Sequence, residues 1–294
     1  MEKATVYFIK DITPENLIRL YEALGRTLRG KVAVKISTGE PGGHNYLKPE
    51  LIGPLVNKVD GTIVECCTAY GGKRQAVRNH WKAIRDHGFP EIAPVEILDE
   101  RGEIEIPVSH GFHLDKDIVG AGLTKYDSVM ILSHFKGHVM GGFGGALKNI
   151  SIGIASTHGK SYIHSVGQIT DPKLCWSAKI TQDGFLESMA DACQAVISYV
   201  GAKNMVYLNV ANRLSVDCDC DPNPAEPEMA DLGLFASLDP VALDQACYDA
   251  VFASEDPGKA ALIERMTSRH AIRTVEAACE HGLGVREYEL VTLD

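Results

Sequence analysis

Two short segments carry pairs of side chains that can bind a metal ion or transfer protons. His134 and His138 flank Lys136 in SHFKGH, and Cys218 and Cys220 alternate with aspartates in DCDCD. Alternate residues of an extended chain point to one side, so each pair can approach a single ion or substrate. Imidazole carries protons at neutral pH and ligates many metals, and paired thiolates suit Zn²⁺ or Fe²⁺. We therefore predict that all four side chains bind a divalent ion, or that the two histidines act as general acid and base. The alternative for DCDCD is an acidic surface loop.

A glycine-rich segment, GGFGGALKN, follows the histidines and could bind an anion. Its four glycines precede an apparent helix start, where backbone N–H groups are exposed to a ligand. Leu147 stands where a P-loop needs glycine, so the segment does not match that motif. The residues predicted to contact a carboxylate or phosphate are Gly142, Gly144, Gly145, Lys148 and Asn149. Lys148 is also a candidate catalytic residue. The alternative is a tight turn that packs against a strand.

These segments lie where the strands of a parallel sheet would end. Short β-branched runs alternate with helical patterns, which is typical of an α/β fold with a mainly parallel or mixed sheet and flanking helices. Predicted strands at 32–36, 62–66, 128–133 and 205–210 are each followed by a polar loop. Ligands of such sheets bind beyond the carboxyl ends of the strands, so the four loops are expected to form one cleft. Further candidate binding residues at this rim are Lys35, Glu40, His44, Arg74 and Lys136, with Glu40 and His44 predicted to pair.

Other patterns predict the supporting elements. Thr13 and Asp239 each precede a proline, which is typical of a helix start. Residues 95–108 are predicted to form a hairpin, which would make part of the sheet antiparallel. Residues 1–294 are interpreted as a single domain, and a division into two lobes around a cleft is the alternative.

Composition excludes several classes of protein. Hydrophobic residues make up 45% and charged residues 23%, so a folded chain is expected rather than a disordered or fibrous one. The net charge of −10 without a Lys/Arg-rich run argues against a nucleic-acid partner. No apolar run approaches the ~18 residues of a membrane span, and the N-terminal segment lacks a signal-peptide pattern, so a cytoplasmic protein is expected. An oligomer is compatible with this composition.

The eight cysteines are expected to be reduced thiols or metal ligands rather than disulfides. The chain contains no C-x-x-C motif, and nothing in the sequence suggests export to an oxidising compartment.

Four segments resemble the domain-of-unknown-function family 362, whose members are often labelled iron–sulfur-centre proteins. They are SHFKGHVMGGFGGALKNISIG, TAYGGKRQAVRNHWKAIRDHGF, GKSYIH and DCDCDPNPAEPEMADLGLFASLDPVALDQA. Many members carry a ferredoxin-like insertion after the segment equivalent to GKSYIH, with the cysteine pattern of a four-iron cluster. Here only Cys175 stands in that place, so no such cluster is expected.

The glycine-rich segment is also similar to the glycine and lysine segment of nickel-pincer lactate racemases. This second resemblance implies a two-lobed α/β fold, histidines at the active site and a small hydroxy-acid substrate, and it adds nickel to zinc and iron as candidate metals.

The leading hypothesis is a cytoplasmic, metal-associated enzyme that acts on a small anionic substrate by acid–base or hydride-type chemistry. The alternative is a non-catalytic carrier that delivers a metal or cofactor to a partner enzyme. A third hypothesis is a nucleotide bound by the glycine-rich loop. A closed four-ligand site would favour the carrier, whereas an open coordination position would favour the enzyme.

Overall fold

The computed structural model describes residues 3–293, in which strands and helices alternate along most of the chain. The strands are β1 (Ala4–Ile9), β2 (Val32–Lys35), β3 (Gly61–Glu65), β4 (Val95–Ile97), β5 (Glu103–Pro107), β6 (Lys116–Gly120), β7 (Ser128–His134), β8 (Lys136–His138), β9 (Gly142–Gly144), β10 (Met205–Ala211), β11 (Gly233–Ser237) and β12 (Tyr288–Thr292). The α-helices are α1 (Pro14–Ala23), α2 (Pro49–Lys58), α3 (Val77–Asp86), α4 (Ala146–Ile154), α5 (Thr157–His164), α6 (Gln182–Val200), α7 (Pro240–Ala253), α8 (Lys259–Ser268) and α9 (Ile272–Glu280).

Eight of the strands form one mixed sheet in the order β12-β1-β11-β10-β7-β2-β3-β4. Within this sheet β11 pairs antiparallel with both of its neighbours, and every other pairing is parallel. The strands β5 and β6 form a separate antiparallel pair, as do β8 and β9. The predicted α/β class with a mainly parallel, mixed sheet is therefore confirmed.

The sheet has an apolar core on each face because successive side chains of a strand point to opposite sides. In the fully buried strand β7, Met130 and Leu132 pack with the helices α1 to α3. Val129 and Ile131 pack on the other side, in the core that the helices α4 to α9 share. This three-layer arrangement leaves the carboxyl ends of the parallel strands open at one edge.

Two predicted helix starts are confirmed by their capping contacts. The side chain of Thr13 accepts a hydrogen bond from the backbone of Asn16, and Asp239 caps α7 through the amides of Val241 and Ala242. Both satisfy N–H groups that a helix cannot pair internally. No helix within residues 3–293 is both long enough and apolar enough to cross a membrane.

The predicted hairpin over residues 95–108 is wrong. β4 pairs in parallel with β3 at the edge of the main sheet, whereas β5 pairs with β6. The cause lies in the packing, because Ile97 belongs to the core on the α1 to α3 side and Ile106 belongs to the opposite core. The turn between the two strands therefore joins separate sheets.

Candidate functional site

A cavity of about 720 Å³ lies at the carboxyl ends of β2, β3, β7 and β10. The loops that follow these strands contribute residues from the segments 37–41, 68–74, 133–140 and 217–222 to its wall. Further lining residues come from the helices α4 and α5, from the end of β3 and from Trp176. The four loops thus meet in one cleft, as parallel strand direction leads one to expect.

A buried ion network occupies the ends of β2 and β3. Lys35 lies 3.1 Å from Glu65, and Arg74 lies 3.1 Å from Glu65 and 3.0 Å from Glu40. Burial alone would raise the pKa of Glu65, but the adjacent Lys35 and Arg74 lower it to about 2. Glu40 also accepts a hydrogen bond from the hydroxyl of Tyr70. Two carboxylates thus balance the two cations.

This network gives internal partners to residues that were predicted to bind a ligand. Lys35 and Arg74 line the cavity with their charges matched within the protein, so their contact with a ligand anion stays a prediction. Glu40 was expected to pair with His44, and instead it pairs with Arg74 because the loop after β3 folds over the loop after β2. The network therefore fixes two of the cavity-lining loops relative to each other.

Asn149 connects α4 to the strand ends. Its side-chain oxygen accepts from Lys35 at 3.1 Å, and its side-chain nitrogen donates to the hydroxyl of Ser133 and to the carbonyl of Lys35, both at 3.1 Å. The amide that was predicted to bind a ligand is thus engaged in positioning the helix that carries Lys148.

His134 and Lys136 both bind the buried carboxylate of Asp219. His134 Nδ1 donates to Asp219 at 2.8 Å, and Nε2 donates to the carbonyl of Asn212 at 2.6 Å. Lys136 Nζ donates to Asp219 at 2.8 Å. Burial opposes ionisation of Asp219, yet His134 and Lys136 hold its pKa far below the usual value. Because both ring nitrogens face acceptors, His134 offers no lone pair to a metal or substrate. This arrangement corrects its predicted role as ligand and catalyst and indicates a positioning role.

Lys148 and Lys160 line the cavity without a carboxylate partner within residues 3–293. The ammonium of Lys160 donates to the carbonyl of Ala155, and that of Lys148 has no hydrogen-bond partner among the described residues. Desolvation, together with nearby Lys136, lowers the pKa of Lys148 to about 7. Near neutral pH this amine can therefore either bind an anion or exchange a proton.

His138 has a defined tautomer. Its Nδ1 accepts a hydrogen bond from the backbone of Gly141 at 2.8 Å, which assigns the proton of the neutral ring to Nε2. Burial and the nearby charge of Lys148 hold the pKa of His138 well below its usual value. The ring therefore stays neutral and presents an N–H donor.

His164 has the opposite tautomer. Its Nδ1 lies 2.6 Å from the carbonyl of Lys160, so this nitrogen donates and Nε2 keeps its lone pair. Burial lowers the pKa of His164 to about 4. The ring stacks on Phe185 and contacts Trp176 edge-on. Sequence reasoning did not assign a role to His164, although its spacing of four residues from Lys160 places both side chains on one helix face.

Cys218 and Cys220 are joined in a disulfide, contrary to the expectation of reduced thiols. Their sulfurs and a ring nitrogen of His138 lie within 4.8 Å of one another. The group is compact enough for one ion, but the fit is incomplete in this oxidised arrangement. The sulfurs are bonded to each other, and the lone pair of His138 is engaged by backbone amides.

The glycine-rich segment binds an internal carboxylate. The amides of Ala146 and Leu147 at the start of α4 donate to Asp244 of α7 at 2.8 and 2.9 Å. A Cβ atom on Gly145 would lie 2.4 Å from a carboxylate oxygen of Asp244, so only glycine fits. Burial raises the pKa of Asp244 to about 6. The amides of Ala146 and Leu147 are therefore occupied, whereas Gly144 and Gly145, which were predicted to contact a ligand, line the cavity, and their role stays a prediction.

The sequence model described as "Domain of unknown function (DUF362)" matches residues 32–249. The chain belongs to this family. Comparison with curated proteins gave no match. Among solved structures, the lactate racemase apoprotein from Thermoanaerobacterium thermosaccharolyticum is 15% identical, with a TM-score of 0.49 and coverage of 86% of this chain and 57% of that chain. A structural-genomics protein from Thermotoga maritima is 13% identical, with a TM-score of 0.44 and coverage of 81% and 57%. The DUF362 chain thus spans little more than half the length of either structure.

Two residues predicted to bind a ligand lie away from the cavity lining in this DUF362 protein. His44 is largely exposed and pairs with Glu226 at 2.9 Å. Gly142 has a left-handed φ of 77°, and a Cβ atom there would lie 2.4 Å from that of Ala271. Its role is therefore to allow a close approach of two backbone segments.

Proposed function

We propose that this DUF362 protein is an enzyme that binds a small anionic substrate in the strand-end cavity and transfers a proton on it. The observation that carries the proposal is the combination of two ammonium groups, which have no carboxylate partner among the described residues, with two neutral imidazoles of opposite tautomer. An anion-binding charge, a hydrogen-bond donor and a proton acceptor are the groups that acid–base catalysis on an anion requires.

The substrate anion is proposed to bind Lys148 and Lys160. The other buried cations of the cavity are already paired with Glu40, Glu65 or Asp219. A carboxylate or phosphate between Lys148 and Lys160 would serve as the counter-ion that residues 3–293 do not supply. Charge-assisted hydrogen bonds of this kind are stronger than neutral ones.

The two imidazoles are proposed to have different catalytic roles, with His164 as the base and His138 as a hydrogen-bond donor. His164 has a free lone pair and acts as the base that removes a proton from the carbon next to the substrate's carboxylate or carbonyl group. His138 donates from Nε2 to the oxygen on which negative charge develops, and Lys148 supports that charge. Bound anion would offset the lysine charges that help to lower the pKa of His164, and so would strengthen the base.

Proton exchange at carbon tests this proposal. The protein is incubated in D₂O with small 2-hydroxy and 2-oxo carboxylates, and loss of the proton next to the carboxylate or carbonyl group is followed by NMR. We expect exchange that His164→Gln and Lys148→Met each reduce by about 100-fold or more, the usual contribution of an acid–base group. His44→Gln is the matched control and should retain full exchange. Exchange that survives His164→Gln would contradict the assignment of the base.

A second candidate function is metal or cofactor binding by Cys218, Cys220 and His138, favoured by the closeness of their ligand atoms. After reduction, two thiolates could hold zinc, iron or nickel, with His138 as a third ligand once its Nδ1 gives up the hydrogen bonds from the backbone amides, and a bound ion would supply Lewis-acid chemistry. Three protein ligands would leave an open position, which favours an enzyme over a closed carrier site.

Elemental analysis of the reduced, anaerobically prepared protein tests this second function. The double variant Cys218→Ser with Cys220→Ser should lose the metal, while Cys279→Ser, which changes a cysteine outside the cavity, should keep it. Full metal content in the double variant would exclude these cysteines as ligands.

A further inference from the structure

We infer that Cys218 and Cys220 form a redox-active pair that exchanges with a small anionic thiol bound in the cavity. The inference rests on the anion site of the proposed function and names a substrate class for it. It assigns to the pair an activity distinct from metal binding.

The position of the disulfide indicates a functional rather than a stabilising role. The bridge joins residues only two positions apart, and a loop this short restricts the unfolded chain little. Both cysteines line the cavity, where a small molecule can reach them. The other six cysteines are unpaired within residues 3–293, and all but Cys279 are buried.

The surroundings of the bridge suit thiol–disulfide exchange. Asp219, between the two cysteines, is fixed by His134 and Lys136, so the backbone that carries both sulfurs is held when the bridge opens. A ring nitrogen of His138 lies within 4.8 Å of both sulfurs, and the neutral ring can donate a hydrogen bond to a thiolate. Lys148 and Lys160, in the same cavity, can bind the anionic group of the incoming thiol.

The exchange consists of two displacements. The thiolate of the small molecule attacks the sulfur of Cys220, which is the more exposed of the two cysteines. A mixed disulfide forms, the Cys218–Cys220 bond breaks, and Cys218 leaves as a thiolate that takes up the proton lost by the small thiol. A second thiolate attacks the small-molecule sulfur of the mixed disulfide and releases Cys220. Two electrons thus pass from two small thiols to the protein disulfide, and the small-molecule disulfide is the other product.

The test compares thiols that differ in charge. The oxidised full-length protein is treated with thioglycolate, which is anionic, or with neutral 2-mercaptoethanol, and rates are corrected for the thiolate fraction of each reagent. Maleimide labelling and peptide mass spectrometry locate the new thiols. At low ionic strength and at a pH no higher than about 7, where Lys148 is protonated, we expect thioglycolate to react about tenfold faster or more at Cys218 and Cys220, the size of effect that local charge produces on association rates. Lys148→Met should remove most of the preference, and Cys279→Ser should leave it unchanged.

Oxalate binding, measured separately by calorimetry, distinguishes this inference from the proposed function. If oxalate binds but both cysteines of the purified protein are free thiols that a small disulfide does not oxidise, the redox inference is overturned and the anion site stands. Equal corrected rates for the two thiols would overturn the stated substrate class. If oxalate does not bind and no charge preference is found, both the inference and the proposed function fail. Thermal melting of each variant, followed by circular dichroism, verifies that it is folded.

Discussion

Anion binding at Lys148 should be coupled to proton uptake. The free protein has a lowered pKa of about 7 at Lys148 because the amine is desolvated and lies near other cations. An anion favours the charged form, so binding should move this pKa back toward the ordinary value of about 10.4. Below pH 7 the amine is already protonated and affinity should be constant. Above pH 7 each further pH unit should weaken anion binding by up to about tenfold, so that binding at pH 9 is up to about 100-fold weaker than at pH 7.

Isothermal calorimetry with oxalate measures both parts of this prediction. Oxalate stays doubly ionised across this pH range, so the titration of the ligand does not contribute. Titrations in two buffers of different ionisation enthalpy give the number of protons taken up, which should approach one near pH 8. Lys148→Met should bind weakly and without the pH dependence, whereas Lys203→Met, at an exposed position, should behave like the wild type. Tight binding that is equally strong at pH 6 and pH 9 in the wild-type protein would show that Lys148 does not gain a proton when the anion binds.

Three further predictions concern stability. Lys148→Met removes a desolvated charge that lacks an ion-pair partner within residues 3–293. The variant should therefore melt about 2–4 °C higher than the wild type in calorimetry. A melting temperature below that of the wild type would count against an unpaired amine at this position. Asp244→Ala leaves the amides of Ala146 and Leu147 without acceptors. This should lower the free energy of unfolding by about 2–4 kcal/mol in urea titrations. A loss below about 0.5 kcal/mol would show that these hydrogen bonds are not formed. Glu65 has a folded-state pKa of about 2, which is below its unfolded value. Its contribution to the free energy of unfolding should therefore be complete above about pH 4.5 and should fall as the pH approaches 2. In denaturant titrations, the stability of Glu65→Gln should accordingly depend less on acid pH than that of the wild type.

The elements that position the cavity are readable from local patterns. Thr13 and Asp239 begin helices for reasons contained within a few residues, and the apolar run of β7 needs burial on both faces wherever it lies. Parallel strand direction then brings the four polar loops together without knowledge of the detailed packing. For the same reason His138 and Lys148 could be placed at the cavity from the sequence.

The pairing state of each side chain could not be read in this way. Asp244 accepts hydrogen bonds from residues almost a hundred positions earlier, and nothing in GGFGGALKN indicates that its amides are already occupied. His134 and His138 look equivalent in SHFKGH, yet their different partners make the first a positioning residue and the second a donor. His164 enters the cavity only because α5 packs beside α4 and α6. Long-range contacts of this kind decide which groups remain free for chemistry.

A crystal structure of the protein with oxalate would show directly whether the strand-end cavity binds an anion through Lys148 and Lys160. We predict oxalate between Lys148 and Lys160, with carboxylate oxygens about 2.8 Å from both ammonium nitrogens. The Nε2 atom of His138 should donate to the same ligand, and Asp244 should remain bound to the start of α4. An oxalate that displaces Asp244 from these amides, or a cavity free of oxalate at a concentration that saturates the protein in solution, would contradict the account.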